Sequence, residues 1–364
     1  MRKLKNFLLF ILLGLFLISF DQKEESGTRI SPEIRNIIFM IGDGMGLPAV
    51  YAAMSVSDHP LNFERCTFTG FQKNTSLDDY ITDSAAAGTA LASGRKTNNG
   101  CIGVDPHGNP LKSILEIAEE HGLATGMVST SSITHATPAS FIAHDTSRNN
   151  YENIARDFLK TDIDVFIGGG YDHFAKRSDK LNLIDSLKTR GYEVQTSMEL
   201  IQKSSAFKLA GLTAPNQNPY RLKGRGDMLT SSTAKAIEIL RKNRKGFFLM
   251  IEGSQIDWAG HANEPEILID ETLDFDKALG VVLDFAEKDK HTLVVVTADH
   301  ETGGVTIVGG NKNSHTVKLD FSGKSHTADM IPVFSFGPGA EKFTGILDNT
   351  EFFPKFLSCY GFSK

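Results

Sequence analysis

Cysteine is scarce in this chain, and the scarcity excludes a class of folds. Three cysteines occur in 364 residues, Cys66, Cys101 and Cys359. Their number is odd and their spacing matches no zinc or redox motif. At most one internal disulfide could form, so the fold must rest on its core. An excess of basic charge is also missing. Lys and Arg total 38 against 44 Asp and Glu, a formal net charge of −6. No basic field is available to attract nucleic acid. An anionic substrate would therefore need positive charge supplied locally, which bound metal ions can do. Internal repeats, low-complexity linkers and any membrane-length run beyond the N-terminus are absent as well. What the chain does have is 40% apolar residues, enough for the core of one large α/β domain.

The N-terminus begins Met1-Arg-Lys-Leu-Lys5 and continues into an apolar run from Phe7 to Phe20. A basic start and a short apolar stretch read as a secretory signal. The run is short for a permanent bilayer span. Its small-residue cleavage pattern is poor, so an uncleaved anchor is the alternative, and that anchor would be the protein's one membrane contact. No cysteine follows the run, which disfavours a lipoprotein anchor. The expected organisation is a signal or anchor at residues 1–20, a flexible segment at 21–35 and a single catalytic domain at 36–364. The expected location is the periplasm or exterior of a bacterial cell.

From Asn36 onward, strand-like and helix-like stretches alternate. Strands are expected at Ile37–Ile41, Thr125–Val128, Val165–Ile167, Phe247–Ile251 and Leu293–Thr297. Helices are expected at Ser84–Ala92, Leu111–His121, Leu181–Arg190, Leu229–Arg241 and Glu266–Glu287, the last with apolar residues at near-helical spacing. Alternation of this kind predicts an α/β fold, doubly wound, with a mostly parallel sheet covered by helices on both faces. Gly168-Gly-Gly170 has no following Gly-Lys-Ser/Thr and reads as a tight strand-to-helix turn, not a phosphate loop. The polar stretch Asn311–Lys324 reads as a surface loop.

Three strands run into chemistry. Ile37–Ile41 leads to Asp43. Phe247–Ile251 leads to Glu252 and on to Asp257 and His261. Val294–Thr297 leads to Asp299 and His300. In parallel α/β sheets ligands bind beyond the carboxyl ends of the strands, which is where these side chains fall. Asp257 and His261 are one helical turn apart and can face one ion, and mixed nitrogen and oxygen ligands suit zinc. Taken singly, each pair has a plain reading as a solvated turn; three at one sheet edge weaken it. Ile81-Thr-Asp-Ser-Ala-Ala-Ala-Gly-Thr-Ala-Leu91 reads as a helix with Asp83 or Ser84 at its start. A simple cap accounts for that segment alone. Beside a metal, the positive helix end would instead make Ser84 a nucleophile.

Collected, these segments resemble the alkaline phosphatases. The matching motifs are Gly42-Asp-Gly-Met-Gly46, Thr82-Asp-Ser-Ala-Ala86, His135-Ala-Thr-Pro-Ala139 with Thr146-Ser-Arg148, Glu252-Gly through Asp257 and His261, Thr297-Ala-Asp-His300, and Ser325-His-Thr327. They follow the family order across residues 36–340. The resemblance implies two zinc ions and one magnesium ion. Asp257, His261 and His326 would hold the first zinc. Asp43, Asp299 and His300 would hold the second, with Ser84 attacking beside it. Asp43 would also bridge to the magnesium, held with Thr137 and Glu252. Arg148 would clamp two phosphate oxygens, a geometry that its planar fork suits. His326 is preferred to His315 because the apolar Ile331-Pro-Val-Phe334 follows it, as in the family. His315 reads as a surface residue. His59, His107, His121, His173 and His291 read as exposed or packing histidines, and His144 as support near Arg148.

Two positions depart from the best-known bacterial pattern. His135 stands where those enzymes carry Asp, near the third metal, and imidazole there favours zinc or cobalt over magnesium. Trp258 stands where they carry Lys, against the substrate phosphate, so a cation is lost beside it. The implied activity is metal-dependent hydrolysis of small-molecule phosphate monoesters through a phosphoserine, by a homodimer. The alternative enzyme is a phosphodiesterase or related superfamily hydrolase. Those commonly use Thr as nucleophile, or carry a Cys/Ser-x-Pro-x-Arg motif, where this chain has Ser84 followed by three alanines. A non-catalytic metal- or phosphate-binding protein would need neither Ser84 nor Arg148.

Overall fold

Why the active residues lie at one edge follows from the strand register. The computed structural model describes residues 33–362; the expected signal or anchor at 1–20, and all but the end of the 21–35 segment, lie outside them. The strands, in chain order, are β1 (Asn36–Gly42), β2 (Phe68–Lys73), β3 (Ala124–Ser132), β4 (Val165–Gly169), β5 (Glu193–Gln195), β6 (Leu209–Leu212), β7 (Phe247–Gly253), β8 (Thr292–Thr297), β9 (Glu301–Thr302), β10 (Val305–Asn311), β11 (Thr316–Phe321), β12 (His326–Thr327), β13 (Ile331–Phe336) and β14 (Gly345–Asp348). Ten of them form one sheet in the order β14-β2-β13-β8-β1-β7-β3-β4-β6-β5. Within that sheet only the pairings of β13 with β2 and β8 are antiparallel, so the sheet is mostly parallel, as expected.

β1 reads Asn-Ile-Ile-Phe-Met-Ile-Gly, and every residue in it is buried. Strands covered on both faces need such unbroken apolar runs. Ile37, Phe39 and Ile41 pack on one face with the helices Ser84–Ser93, Ile114–Glu120 and Phe352–Tyr360. Ile38 and Met40 pack on the other with Leu47–Val56, Met228–Leu240 and Pro265–Asp289. Ile41 is level with Glu252 on β7 and Thr297 on β8, and Ser129 on β3 is level with Glu252. One or two residues further on, Asp43, Ser254 and Asp299 leave the sheet at the same edge.

The Gly168-Gly-Gly170 turn is observed: β4 ends at Gly169, Gly170 has φ +96°, and a helix starts at Tyr171. The stretch Asn311–Lys324 is not the irregular loop that its polarity suggests. β10 and β11 pair antiparallel from Val305–Phe321 to Asn311–Thr316. β11 alternates half-buried Val317, Leu319 and Phe321 with exposed neighbours, the pattern of a one-sided strand. The glycines and asparagine of β10 hide its partner.

The segment carrying Arg148 is fixed by His144. His144 Nδ1 lies 2.6 Å from the Gly103 carbonyl and Nε2 lies 3.1 Å from Glu116 Oε1. Its backbone N–H donates to Asp157 Oδ2 at 2.8 Å. Both ring nitrogens face acceptors, an arrangement that the doubly protonated, cationic ring satisfies and the neutral ring does not. Burial pulls its pKa down most strongly, but the bonds to Glu116 and Gly103 and the charges of Glu116 and Asp157 outweigh it and raise the pKa above its ordinary value. A raised histidine pKa stabilises the fold fully below the unfolded value of about 6.5, and the gain fades as pH rises through the folded value. His144→Asn should therefore lower Tm most near pH 6 and progressively less toward pH 9. Melting curves across that range check it, and a Tm deficit independent of pH would rule out the charged lock.

Candidate active site

Asp83 is the N-cap of the helix Ser84–Ser93, its side chain accepting from Ala86 N, and all ten helix residues are buried. Ser84 is the first helical residue, at the positive end of the helix dipole. Its Oγ lies 3.2 Å from His300 Nε2. Asp83 does a second job. Its Oδ2 accepts from Arg148 Nη1 at 2.9 Å and from Gly100 N at 2.9 Å. That is the single side-chain hydrogen bond of Arg148 among the described residues, so part of its fork remains available to an anion.

Around Ser84 the structure gathers the sequence-designated ligands into three groups, two of which share Asp43: Asp257 with His261 and His326, Asp43 with Asp299 and His300, and Asp43 with His135 and Glu252. In the first group His261 Nδ1 meets the Lys324 carbonyl at 2.6 Å and His326 Nδ1 meets the Thr82 carbonyl at 2.9 Å. A carbonyl partner holds the proton on Nδ1, so that Nε2 is the nitrogen whose lone pair can be offered to a cation. The two Nε2 atoms lie 3.2 Å apart, and 3.2 and 3.5 Å from Asp257 Oδ1. In the second group His300 Nε2 is 3.5 Å from Asp43 Oδ1 and 3.3 Å from Asp299 Oδ2.

Each central carboxylate has one oxygen held and one bare. Asp299 Oδ1 accepts from Gly44 N and His300 N at 3.2 and 3.0 Å. Thr137 Oγ1 donates to Asp43 Oδ2 at 3.5 Å, and Ser129 Oγ donates to Glu252 Oε2. Asp43 Oδ1, Asp299 Oδ2, Glu252 Oε1 and His135 Nδ1 are buried without a hydrogen bond. A buried orphan costs about 1–3 kcal/mol, and more when charged, and four at one spot fit divalent cations. Gly44 permits the crowding. It has φ +72°, and a Cβ there would lie 2.6 Å from Asp257 Cα.

The electrostatics agree. Burial, then the charges of Asp299, Asp257 and Glu252, raise Asp43 well above the carboxylate range. Burial pushes Glu252 up to about 7 and Asp299 up to about 6. Burial pushes His135 down to about 3 and holds His300 well below its usual value. Asp257 behaves differently: burial would raise it, but the His261 bond and the surrounding imidazoles hold it low. The bond to Asp257 raises His261 to about 9. Acids that resist ionising beside neutral imidazoles are what a cation would reverse.

Trp258 lies beside this cluster, its ring 6.0 Å from that of His135. His315 is away from it: its Nδ1 lies 3.2 Å from the Ser57 carbonyl at the surface. Several supporting residues escape the sequence reading. Thr302 Oγ1 donates to Asp257 Oδ1. Gln72 donates to Thr297 Oγ1 at 3.1 Å and to the Ala298 carbonyl, and Asn74 to the Asp299 carbonyl at 3.2 Å. These bonds reach across β13 to the turn that presents Asp299 and His300. Nothing in the local sequence marks them.

A serine at a helix start, a guanidinium fork with donors to spare and clustered cation ligands suit attack on a tetrahedral oxyanion; metal-dependent phosphoryl transfer is the class they define. Known proteins narrow it. The family model described as "Alkaline phosphatase" matches residues 34–321, and the chain belongs to that family. Alkaline phosphatase 4 of Bacillus subtilis (strain 168) is 36% identical, covering 91% of this chain and 89% of its own length. The alkaline phosphatase of Escherichia coli (strain K12) is 33% identical, with 88% and 84% covered. The alkaline phosphatase from the Antarctic bacterium TAB5 superposes with a TM-score of 0.87 at 41% identity, covering 92% of this chain and 99% of that one. A histidine-to-aspartate variant of the TAB5 enzyme, at TM-score 0.86, 40% identity and the same coverage, has Mg bound in its M3 site. The chain is a phosphate monoester hydrolase that uses divalent metal.

Proposed function

We propose that hydrolysis proceeds by double displacement at Ser84. Ser84 Oγ forms a bond to phosphorus as the ester oxygen leaves, giving a phosphoserine and an alcohol. Water then displaces Ser84 from phosphorus, giving inorganic phosphate. Arg148 holds two of the non-reacting oxygens with its fork. His300 faces Asp43 and Asp299 as well as Ser84, so it serves as a ligand and not as the base. When bound, the cations make the serine and water oxygens nucleophilic and stabilise the departing oxygen. The observation that carries this reading is the convergence of four buried ligand atoms that lack hydrogen bonds beside a helix-start serine. Phosphate release from nitrophenyl phosphate, but not from a diester, tests it; preferential diester turnover would reject it.

Asp257, His261 and His326 suit one zinc, and Asp43, Asp299 and His300 a second. Asp43, Glu252 and Thr137 suit a third ion with His135 at its edge. The TAB5 variant holds Mg where an aspartate replaces histidine. By that analogy His135 here tilts the third position toward zinc or cobalt. Metal analysis of the purified protein tests the assignment.

Trp258 supplies no cation beside the bound phosphate, so product should leave readily. Trp258→Lys should tighten inhibition by inorganic phosphate by about 3- to 10-fold, the gain from one charge-assisted contact. Unchanged inhibition would reject a phosphate-adjacent role for residue 258.

Residues 36–364 form the catalytic domain in this reading, supported by the single sheet spanning Asn36–Asp348. A homodimer is supported by the groove between the helix Leu47–Val56 and β10. It encloses about 690 Å³ and leaves Leu47 and Tyr51 exposed, and apolar patches of this kind mark association surfaces. A protomer mass by light scattering would refute it. Export to the periplasm or exterior rests on the basic and apolar start of the chain, and fractionation of the native host tests it.

A further inference from the structure

If Ser84 attacks in line, the alcohol departs on the side opposite to Ser84. Ser84 stands against His300 of the second group; if the first group, Asp257, His261 and His326, bounds the far side of phosphorus, the alcohol emerges toward it. The residue after Asp257 is Trp258, and between Ile251 and Gly260 it alone is not buried. One edge of Trp258 is set against His135 at 80°. Tyr220, from the turn before residues Arg221–Lys223, meets Trp258 with ring centres 6.4 Å apart at 73°. Lys223 Nζ closes the outer end, 4.9 Å from the Tyr220 ring centre. Tyr220 is half-buried.

This row of rings is braced. Arg221 N donates to Glu271 Oε1 at 2.7 Å and its guanidinium grips Asp270. Arg225, 8% exposed, donates to Asp274 at 2.8 Å and also to Glu271 and Gln255. Gln255 in turn donates to the Asn218 carbonyl at 2.7 Å. The segment 218–225 is thus tied to both the helix that carries Trp258 and the long helix Pro265–Asp289. Buried ion pairs with this many partners contribute a fixed geometry more surely than stability. A rigid aromatic surface needs little ordering when a ligand lands on it.

We propose that Trp258 and Tyr220 form a leaving-group wall, and that it favours phosphate monoesters whose alcohol carries a planar aromatic ring. The proposal rests on the phosphatase reading and adds a substrate class to it. Ring edges and faces set at steep angles accept a third ring by edge or offset stacking, an interaction unavailable to a short aliphatic alcohol. Tyr220 is the determinant to test, because it touches neither phosphate nor cation ligand.

The experiment compares kcat/KM for phenyl phosphate and glycerol 1-phosphate in the unaltered protein, Tyr220→Ala and Tyr220→Phe. Taking the ratio of the two esters cancels any common loss. Tyr220→Ala should lower the phenyl-to-glycerol ratio by about 3- to 10-fold, and Tyr220→Phe, which keeps the ring, by less than about 2-fold. Inhibition by inorganic phosphate should be unchanged in both. An unchanged ratio in Tyr220→Ala overturns the wall while leaving the phosphatase reading intact. A parallel loss for both esters and phosphate overturns it too, since Tyr220 would then only hold up the site. Absence of turnover of either ester by the unaltered protein overturns both readings.

Discussion

Ser84→Ala should eliminate the trapped phosphoenzyme and lower kcat with nitrophenyl phosphate by at least about 10³-fold, with divalent metal still bound. The size follows from what the hydroxyl does. It is the only proposed group that forms a bond to phosphorus in the first displacement. Arg148 and the cation ligands are untouched by its removal, so the residual rate is that of water attacking a well-positioned ester. The fold should tolerate the change. Asp83, not Ser84, caps the helix, and Ala is the better helix former by a few tenths of a kcal/mol. Tm should stay within a few degrees, which separates lost chemistry from lost structure. Quench-flow trapping with labelled substrate and a steady-state assay check both halves. A phosphoenzyme trapped at undiminished yield would remove Ser84 from the mechanism.

Much of this site is legible along the chain because the sheet is parallel and buried on both faces. Its central strands must be continuous apolar runs, so Ile37–Ile41, Phe247–Ile251 and Leu293–Thr297 stand out, and each ends where a polar ligand begins. The helix bounds blur by a turn: Leu111–His121 is observed as Ile114–Glu120, because the Ser113 capping box starts it late. Reading Asn311–Lys324 as a loop failed for a local reason. Gly309 and Gly310, just before the stretch, look like loop residues, yet they pair with Lys318 and Val317 beyond a bulge that falls between Ile307 and Gly309. The alternation of Val317, Leu319 and Phe321 was there to be read.

What no local pattern encodes is the distant partner. The Lys324 and Thr82 carbonyls fix the tautomers of His261 and His326 only after three loops meet. Gln72 and Asn74 reach the Asp299 turn from two strands away. The same holds for Asp83, legible as a cap but not as the partner of Arg148. Tyr220 belongs here too: only the fold brings it to Trp258.

Asp43→Ala should cost the protein more metal than Asp257→Ala, because Asp43 takes part in two of the three ligand groups and Asp257 in one. Its Oδ1 faces His300 at 3.5 Å, and its Oδ2 is approached by Thr137 at 3.5 Å. One carboxylate shared by two cations removes a ligand from both when it is lost. The effect should extend to stability. Asp43, Glu252 and Asp299 are fully buried and Asp257 nearly so, and gathering such charges out of water costs several kcal/mol per ion unless cations compensate. Ligands that bind only the folded state stabilise it by about 4 kcal/mol at a thousandfold excess over Kd. Chelation of the native protein should therefore abolish turnover and lower Tm by several degrees, with zinc restoring both. Asp43→Ala should gain less Tm from added zinc than the unaltered protein, since it lacks the shared ligand, and should melt no lower than the chelated unaltered protein, since it also lacks one of the repelling charges. Elemental analysis and calorimetry on the two variants, prepared side by side, decide the matter. Equal metal loss in Asp43→Ala and Asp257→Ala would mean that Asp43 serves a single ion, and the bridge between the nucleophile's cation and the third position would have to be given up.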